Sequence, residues 1–252
     1  MTSFLLCDPD SLHSDEQQQD ANILRQLIDI LSPLACEIST LPALSFTPHL
    51  HQLRSLCVIY KKQYVCCPYR GCTVALLNSW LYANDYIKLN LRSYYLQYGP
   101  LSYQGDDVHI VDDTAYLGHG LNTDYALIQK LSETLNLNVR PLHLVDRSFR
   151  CLLEAFTPIN DGLCLAYLPA FDKTSQQLIQ DEFTVLNIPK YEIDKGACNA
   201  IVIDNTVIIP EGCEQTQIAL IQHGFQVVTI AVNHEHYRKY RVGLGHYALR
   251  SS

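Results

Sequence analysis

Val108-His109-Ile110-Val111-Asp112-Asp113-Thr114-Ala115-Tyr116-Leu117 places two short apolar runs on either side of a two-residue acidic turn, the pattern of a tight antiparallel hairpin. The chain then changes period. Leu127, Ile128, Leu131 and Leu135 recur at three-and-four spacing, which predicts an amphipathic helix with Thr123 or Asn122 as its cap. Val139 to Val145 returns as a strand, so the unit from Asp107 to Val145 reads β-β-α-β.

The same order recurs from Asn199 to Val232. Ala200-Ile201-Val202-Ile203 and Thr206-Val207-Ile208-Ile209 flank the turn Asp204-Asn205, and a helix follows through Gln215 to Gln222. Ile218 and Ile221 are expected on its apolar face with Leu220 widening the stripe, Gly224 closes it, and Phe225 to Val232 is the last strand. Two matching units predict a fold built by repetition, in which each unit leaves an apolar face that only its neighbours cover. Function then belongs at the shared centre.

Weaker traces extend the series. Cys57 to Tyr60 and Tyr64 to Cys67 flank Lys61-Lys62-Gln63 as another hairpin. Leu163 to Tyr167, a helix near Ser175 to Asp181, and Thr184 to Ile188 make a shortened β-α-β, while Phe4 to Cys7 with a helix over Ile23 to Leu31 begins the chain.

No Pro/Gly/Ser-rich linker or charge run divides the 252 residues, so one domain is expected over 1–252. Hydrophobic residues make up 48%, ample for a core, and the net charge of −8 argues against a nucleic-acid partner, which would need clustered Lys and Arg. The longest apolar run, Leu163 to Phe171, is broken by Pro169 and falls short of the roughly 18 residues that cross a bilayer, so no membrane partner is expected. Ten Cys without a basic-then-apolar leader fit a reducing, cytoplasmic setting better than a secreted disulfide scaffold.

Cys66, Cys67 and Cys72 offer soft ligands, and His49, His51, His234 and His236 offer imidazoles, but the spacing matches no standard zinc pattern. Free, buried thiols are the expectation, with no metal and no cofactor. Tyr94, Tyr95 and Tyr98 could rim an aromatic pocket, although tyrosines at sheet edges and helix faces account for most such residues.

Several segments, in order, resemble the amidinotransferase and dimethylarginine dimethylaminohydrolase family of guanidine-modifying enzymes. Leu5-Leu6-Cys7-Asp8-Pro9 resembles the family's opening strand, Gly105-Asp106-Asp107 its Glu-Gly-Gly-Asp segment, and Gly118 to Asp124 its Gly-x-x-x-Arg-Thr-Asn segment. Tyr167 to Asp172 and Ala197 to Ala200 are similar to further segments. The resemblance spans nearly the whole chain and implies an α/β fold, the five-bladed α/β propeller (pentein) of β-β-α-β units.

That family uses a Cys thiolate to attack the guanidinium carbon, a His as acid and base, and carboxylates to hold the cation. The family's His-Leu-Asp segment falls on Cys151-Leu152-Leu153, and its Lys-x-x-Gly-Gly-x-x-Cys pattern falls on Lys239 through His246. Cys151 thus stands at the His position and His246 at the nucleophile; a register shifted by one puts Tyr247 there instead. Gln104 replaces a carboxylate, Asn122 replaces Arg, and Asp107 is kept. The resemblance implies Gln104, Asp107, Asn122 and an inward-turned Glu154 as contacts to a small guanidino or arginine-like ligand.

Two readings follow. A pseudoenzyme that binds a ligand or a protein partner without turnover accounts for all the losses together, and is preferred. The alternative is an active guanidine-modifying hydrolase or amidinotransferase in which Cys151 and His246 have exchanged places and still face each other.

Overall fold

The computed structural model describes residues 3–14, 17–34, 37–43, 52–66, 71–89, 103–235, 237 and 242–250. His49, His51, Cys67, Tyr94, Tyr95, Tyr98, His236 and Lys239 lie outside these, as does the side chain of Cys72. Five three-stranded mixed sheets form the blades of an α/β propeller, each with one helix crossing between its parallel strands.

In the third blade, β6 (Val108–Val111) pairs antiparallel with β7 (Thr114–His119), which pairs in parallel with β8 (Asn138–His143) after the helix Leu127–Leu135. The fifth blade repeats this with β12 (Ile201–Ile203), β13 (Thr206–Pro210) and β14 (Gln226–Ile230) around the helix Glu214–Gln222. The second is β3 (Cys57–Tyr60), β4 (Gln63–Cys66) and β5 (Ile87–Lys88), with the helix Gly71–Ala83. In these three blades the first residue of the two-residue hairpin turn is left-handed: Lys61 at φ 55°, Asp112 at 51° and Asp204 at 49°. Asp tolerates that region through local hydrogen bonding, which is why acidic turns marked the repeat.

The remaining two blades were only partly legible. The shortened β-α-β unit is a full blade, because Phe156–Pro158 (β9) supplies the missing first strand beside Leu163–Ala166 (β10) and Thr184–Asn187 (β11). In the first blade, Ser3–Asp8 (β1) pairs in parallel with Glu37–Pro42 (β2) after the helix Gln18–Leu31, and its antiparallel partner is Leu249–Arg250 (β15). The ring closes through this last strand.

Two local expectations fail. The helix Leu127–Leu135 starts after Ala126 without a side-chain cap, since Thr123 and Asn122 are engaged elsewhere. In the helix Glu214–Gln222, Thr216 and Leu220 are buried, whereas Ile218 and Ile221 are 56% and 54% exposed. Glu192 sets this rotation. Its carboxylate accepts from the Gln215 and Thr216 N–H groups and the Thr216 hydroxyl, capping the helix and drawing Thr216 inward. Ile218 then lies about 200° round the helix from both buried residues.

The core fills the space between sheets and helices. Leu5, Leu24 and Leu27 of the first blade meet Ile208 and Ile230 of the fifth, and Phe156, Phe171 and Ile179 continue round the fourth. Burial of each such side chain contributes about 1.5–3 kcal/mol. The second and third blades approach closely at Gly105, where a Cβ would lie 2.1 Å from the Arg54 carbonyl oxygen and 2.4 Å from that of Cys57.

Candidate functional site

Tight turns lead into the axial strands. Leu53–Leu56 precedes β3, Gly105–Asp107 precedes β6, Leu152–Glu154 precedes β9, and the single helical turn Leu244–Tyr247 precedes β15. These turns converge and bring Ser55, Asp106, Cys151 and His246 together. Cys151 and His246, 95 residues apart in sequence, meet with Sγ 3.7 Å from Nε2. The same Nε2 lies 3.2 Å from Asp106 Oδ2, which also accepts from the Ser55 hydroxyl at 2.8 Å.

The imidazole is oriented by its other nitrogen. The Gly243 N–H donates to Nδ1 at 3.2 Å, so Nδ1 carries no hydrogen, the ring hydrogen sits on Nε2, and Nε2 donates to Asp106. Thiol and carboxylate therefore share one ring nitrogen. A nucleophile–base–acid relay needs the opposite arrangement, with the base nitrogen free toward the thiol and the acid on the far nitrogen.

Electrostatics point the same way. Cys151 is 1% exposed, and burial together with the carboxylates of Asp106, Glu154 and Asp107 pushes its thiol well above the ordinary cysteine range. Burial would raise Asp106 too, but the His246 N–H, the Ser55 hydroxyl and the nearby Arg54 guanidinium hold it below the usual carboxylate range. Asp107 goes up, through burial and the charge of Asp106.

The residues expected to hold a ligand instead hold the backbone on both sides of Cys151. Glu154, fully buried, accepts from the Arg150 N–H at 3.2 Å, and the Asn122 amide donates to the Arg150 carbonyl at 2.6 Å. Asp107 accepts from the Leu152 N–H at 2.8 Å through Oδ1 and from the Thr123 hydroxyl at 2.5 Å through Oδ2. Gln104 is half-buried nearby, with its backbone N–H directed at the Thr123 hydroxyl. Leu153 is buried against Gly245, and Tyr247 donates to Asp20, away from the thiol.

Asp106 was not anticipated, nor were Ser55 and Asn199. The signal for Asp106 lay in the Gly105-Asp106-Asp107 segment, where an acid occupies the second Gly position of the family pattern while Gln104 has lost the family's acid. Asn199 is fully buried, its backbone carbonyl accepts from the Gly245 N–H, and its side chain packs so tightly that a Cβ on Gly243 would lie 2.7 Å away.

The sequence matches the family of N,N dimethylarginine dimethylhydrolase, eukaryotic, over residues 73–236. The chain belongs to this family. Among curated relatives, this dimethylhydrolase-family protein is 28% identical over 116 residues to the bifunctional arginine dihydrolase/ornithine cyclodeaminase AgrE of Nostoc sp., covering 45% of this chain and 16% of that protein. It is 25% identical over 137 residues to the uncharacterized protein ZK1307.1 of Caenorhabditis elegans, covering 54% of this chain and 49% of that one. The matched stretches thus span less than half the length of either relative.

Solved structures show the pentein fold. AgrE in its ternary complex with ornithine and NAD+ superposes with a TM-score of 0.86 at 20% identity, over all of this chain and 39% of that one. A variant of DDAH from Pseudomonas aeruginosa complexed with citrulline superposes with a TM-score of 0.78 at 18% identity, over 98% of both chains.

Cys151 Sγ, His246 Nε2 and Asp106 Oδ2 all lie within 4.8 Å of one another, close enough to hold a metal ion. The surroundings of His246 do not fit a metal ligand. A histidine ligand presents a ring N–H on its other nitrogen to an acceptor, whereas Nδ1 of His246 faces the Gly243 N–H, itself a donor.

Proposed function

We propose that this dimethylhydrolase-family protein is a pseudoenzyme, a pentein that keeps the fold but has given up covalent guanidine chemistry and acts by binding. The observation that carries this reading is the shared ring nitrogen: Nε2 of His246 donates to Asp106 and so cannot accept a proton from the Cys151 thiol. The clamping of Arg150 and Leu152 by Asn122, Glu154 and Asp107 supports it, because those groups are spent on the chain itself. Cys7, Cys66, Cys151, Cys164, Cys198 and Cys213 are free thiols, which favours work in a reducing, cytoplasmic compartment.

One observation favours the alternative of retained catalysis: the 3.7 Å approach of thiol to imidazole. In that reading a ring rotation moves Asp106 to one nitrogen and Cys151 to the other, and an arginine-like substrate of the kind named for the relatives is hydrolysed. Incubation with L-arginine and N,N-dimethylarginine, with amine and ammonia release followed beside iodoacetamide labelling mapped by mass spectrometry, separates the two. The pseudoenzyme releases nothing, and Cys151 labels on the order of 100-fold more slowly than in denaturant. Turnover lost in Cys151→Ala and in His246→Ala would overturn the proposal.

A further inference from the structure

A cavity of about 570 Å³ lies on the propeller axis and is walled by the strands nearest the axis in all five blades. Asp106, Cys151 and His246 are not among its lining residues. The two sites meet at Arg54 and Gly105, which line the cavity while their turns carry Ser55 and Asp106. The volume falls within the range of small-molecule sites, roughly 300–1,000 Å³.

Of its cationic lining groups, Lys61 pairs with Asp113 at 3.4 Å, whereas Arg54 and Arg250 carry no direct ion pair among the described residues and Arg54 is attracted by Asp106 only from beyond that distance. Arg54 Nη2 donates to the Val108 carbonyl at 3.4 Å and to His109 Nδ1 at 3.0 Å, and the remaining guanidinium N–H groups make no hydrogen bond to the described residues. Arg250, on β15, lines the same cavity and its charge acts on Arg54 as a repulsion. No carboxylate lies within ion-pair distance of either guanidinium among the described residues. His109 stays uncharged, because burial and the adjacent Arg54 hold its imidazole well below its ordinary range; it positions the guanidinium as an acceptor.

We propose that the axial cavity binds a small molecule through a carboxylate or phosphate group seated between Arg54 and Arg250. Two planar forks that line one cavity, repel each other and make no direct ion pair among the described residues suit such an oxyanion, which each can hold bidentately. The rest of the ligand is neutral or cationic. Asp112, Asp161 and Asp204, at or beside the hairpin turns, line the outer reach of the cavity, about four strand residues or about 13 Å beyond the start of the axial strands, and repel polyanions. This inference holds whether or not the buried cluster turns over.

The test is thermal unfolding of the full chain in sodium phosphate and, separately, sodium acetate, with ionic strength held constant by sodium chloride. The parent is expected to show a saturable rise in Tm of about 5 °C with at least one probe when its concentration reaches about 100 times its dissociation constant. The better probe identifies the head group. Arg250→Ala, whose side chain is exposed, is expected to remove most of the rise, and Arg54→Lys to remove it by replacing the fork with a point charge. An equal rise in parent and Arg250→Ala, or no rise with either probe, would overturn the proposal, and the Arg250→Ala comparison decides even if Arg54→Lys fails to fold.

Discussion

The two ends of the propeller axis are reached by the same strands yet treat charge in opposite ways. At the closed end, Asp106 is met by Ser55 and His246, Asp107 by Thr123 and Leu152, and Glu154 by Arg150, all within the interior. On the cavity side, Arg54 and Arg250 line one space from the start of the axial strands, and among the described residues no carboxylate is bonded to either. Groups satisfied by their own chain contribute to stability, whereas groups left unsatisfied are available to a ligand. Under the proposed function, the positions that the resemblance matches to the family's chemistry belong to the first class, and the cations without an ion pair lie outside them.

The largest expected effect falls where the ends meet. Gly105→Ala drives a Cβ into the Arg54 and Cys57 carbonyls, and should cost more than about 4 kcal/mol in denaturant unfolding, disturbing both ends at once. Asp106→Ala should cost about 3–5 kcal/mol, because His246 and Ser55 lose their acceptor inside the protein; a cost under about 1 kcal/mol would show that the closed end is not structural.

Asp107→Asn tests the sign of the charge. With its folded pKa raised, native Asp107 retains a proton that the unfolded chain releases above about pH 4, so stability falls as pH rises from there toward the folded value. Asn can still accept from Leu152 and donate to Thr123, so the variant should flatten this slope and be more stable than the parent at pH 7. A parent whose stability climbs with pH throughout, unchanged by the substitution, would contradict this. Arg250→Ala should change stability by less than about 0.5 kcal/mol, on the stabilising side, since it removes repulsion with Arg54; a larger loss would blur the contrast between the ends.

The repeat was legible because four-residue strands such as Val108–Val111 flank turns whose acids mark a left-handed residue. The missing strands have no such signature. Phe156–Pro158 ends in proline and Leu249–Arg250 is only two residues long, so pairing with β10 and β1 defines them, not periodicity. The inward face of Glu214–Gln222 depended on Glu192, more than 20 residues upstream, and local spacing could not report it.

The meeting of Cys151 and His246, 3.7 Å apart, was readable as an expectation, because the resemblance matched both to the family's catalytic positions. What they do was not. The decisive contacts are Gly243 to Nδ1 and Asp106 to Nε2, and a backbone donor leaves no trace in residue identity. The roles assigned to Asn122 and Glu154 likewise presumed that polar groups near the centre face a ligand, when each is directed at the Arg150 peptide.

The pairing of β15 with β1 has a kinetic consequence. Leu249 lies opposite Leu5, so the first blade gains its third strand only when segments 244 residues apart in the chain find each other, a long-range contact of the kind that forms late and slowly. Blades such as β6-β7-β8 need only local pairing and can form earlier. His246 sits three residues before that closing strand, which makes the buried cluster a reporter of ring closure: a refolding chain should bury Cys151 against alkylation only in its last phase.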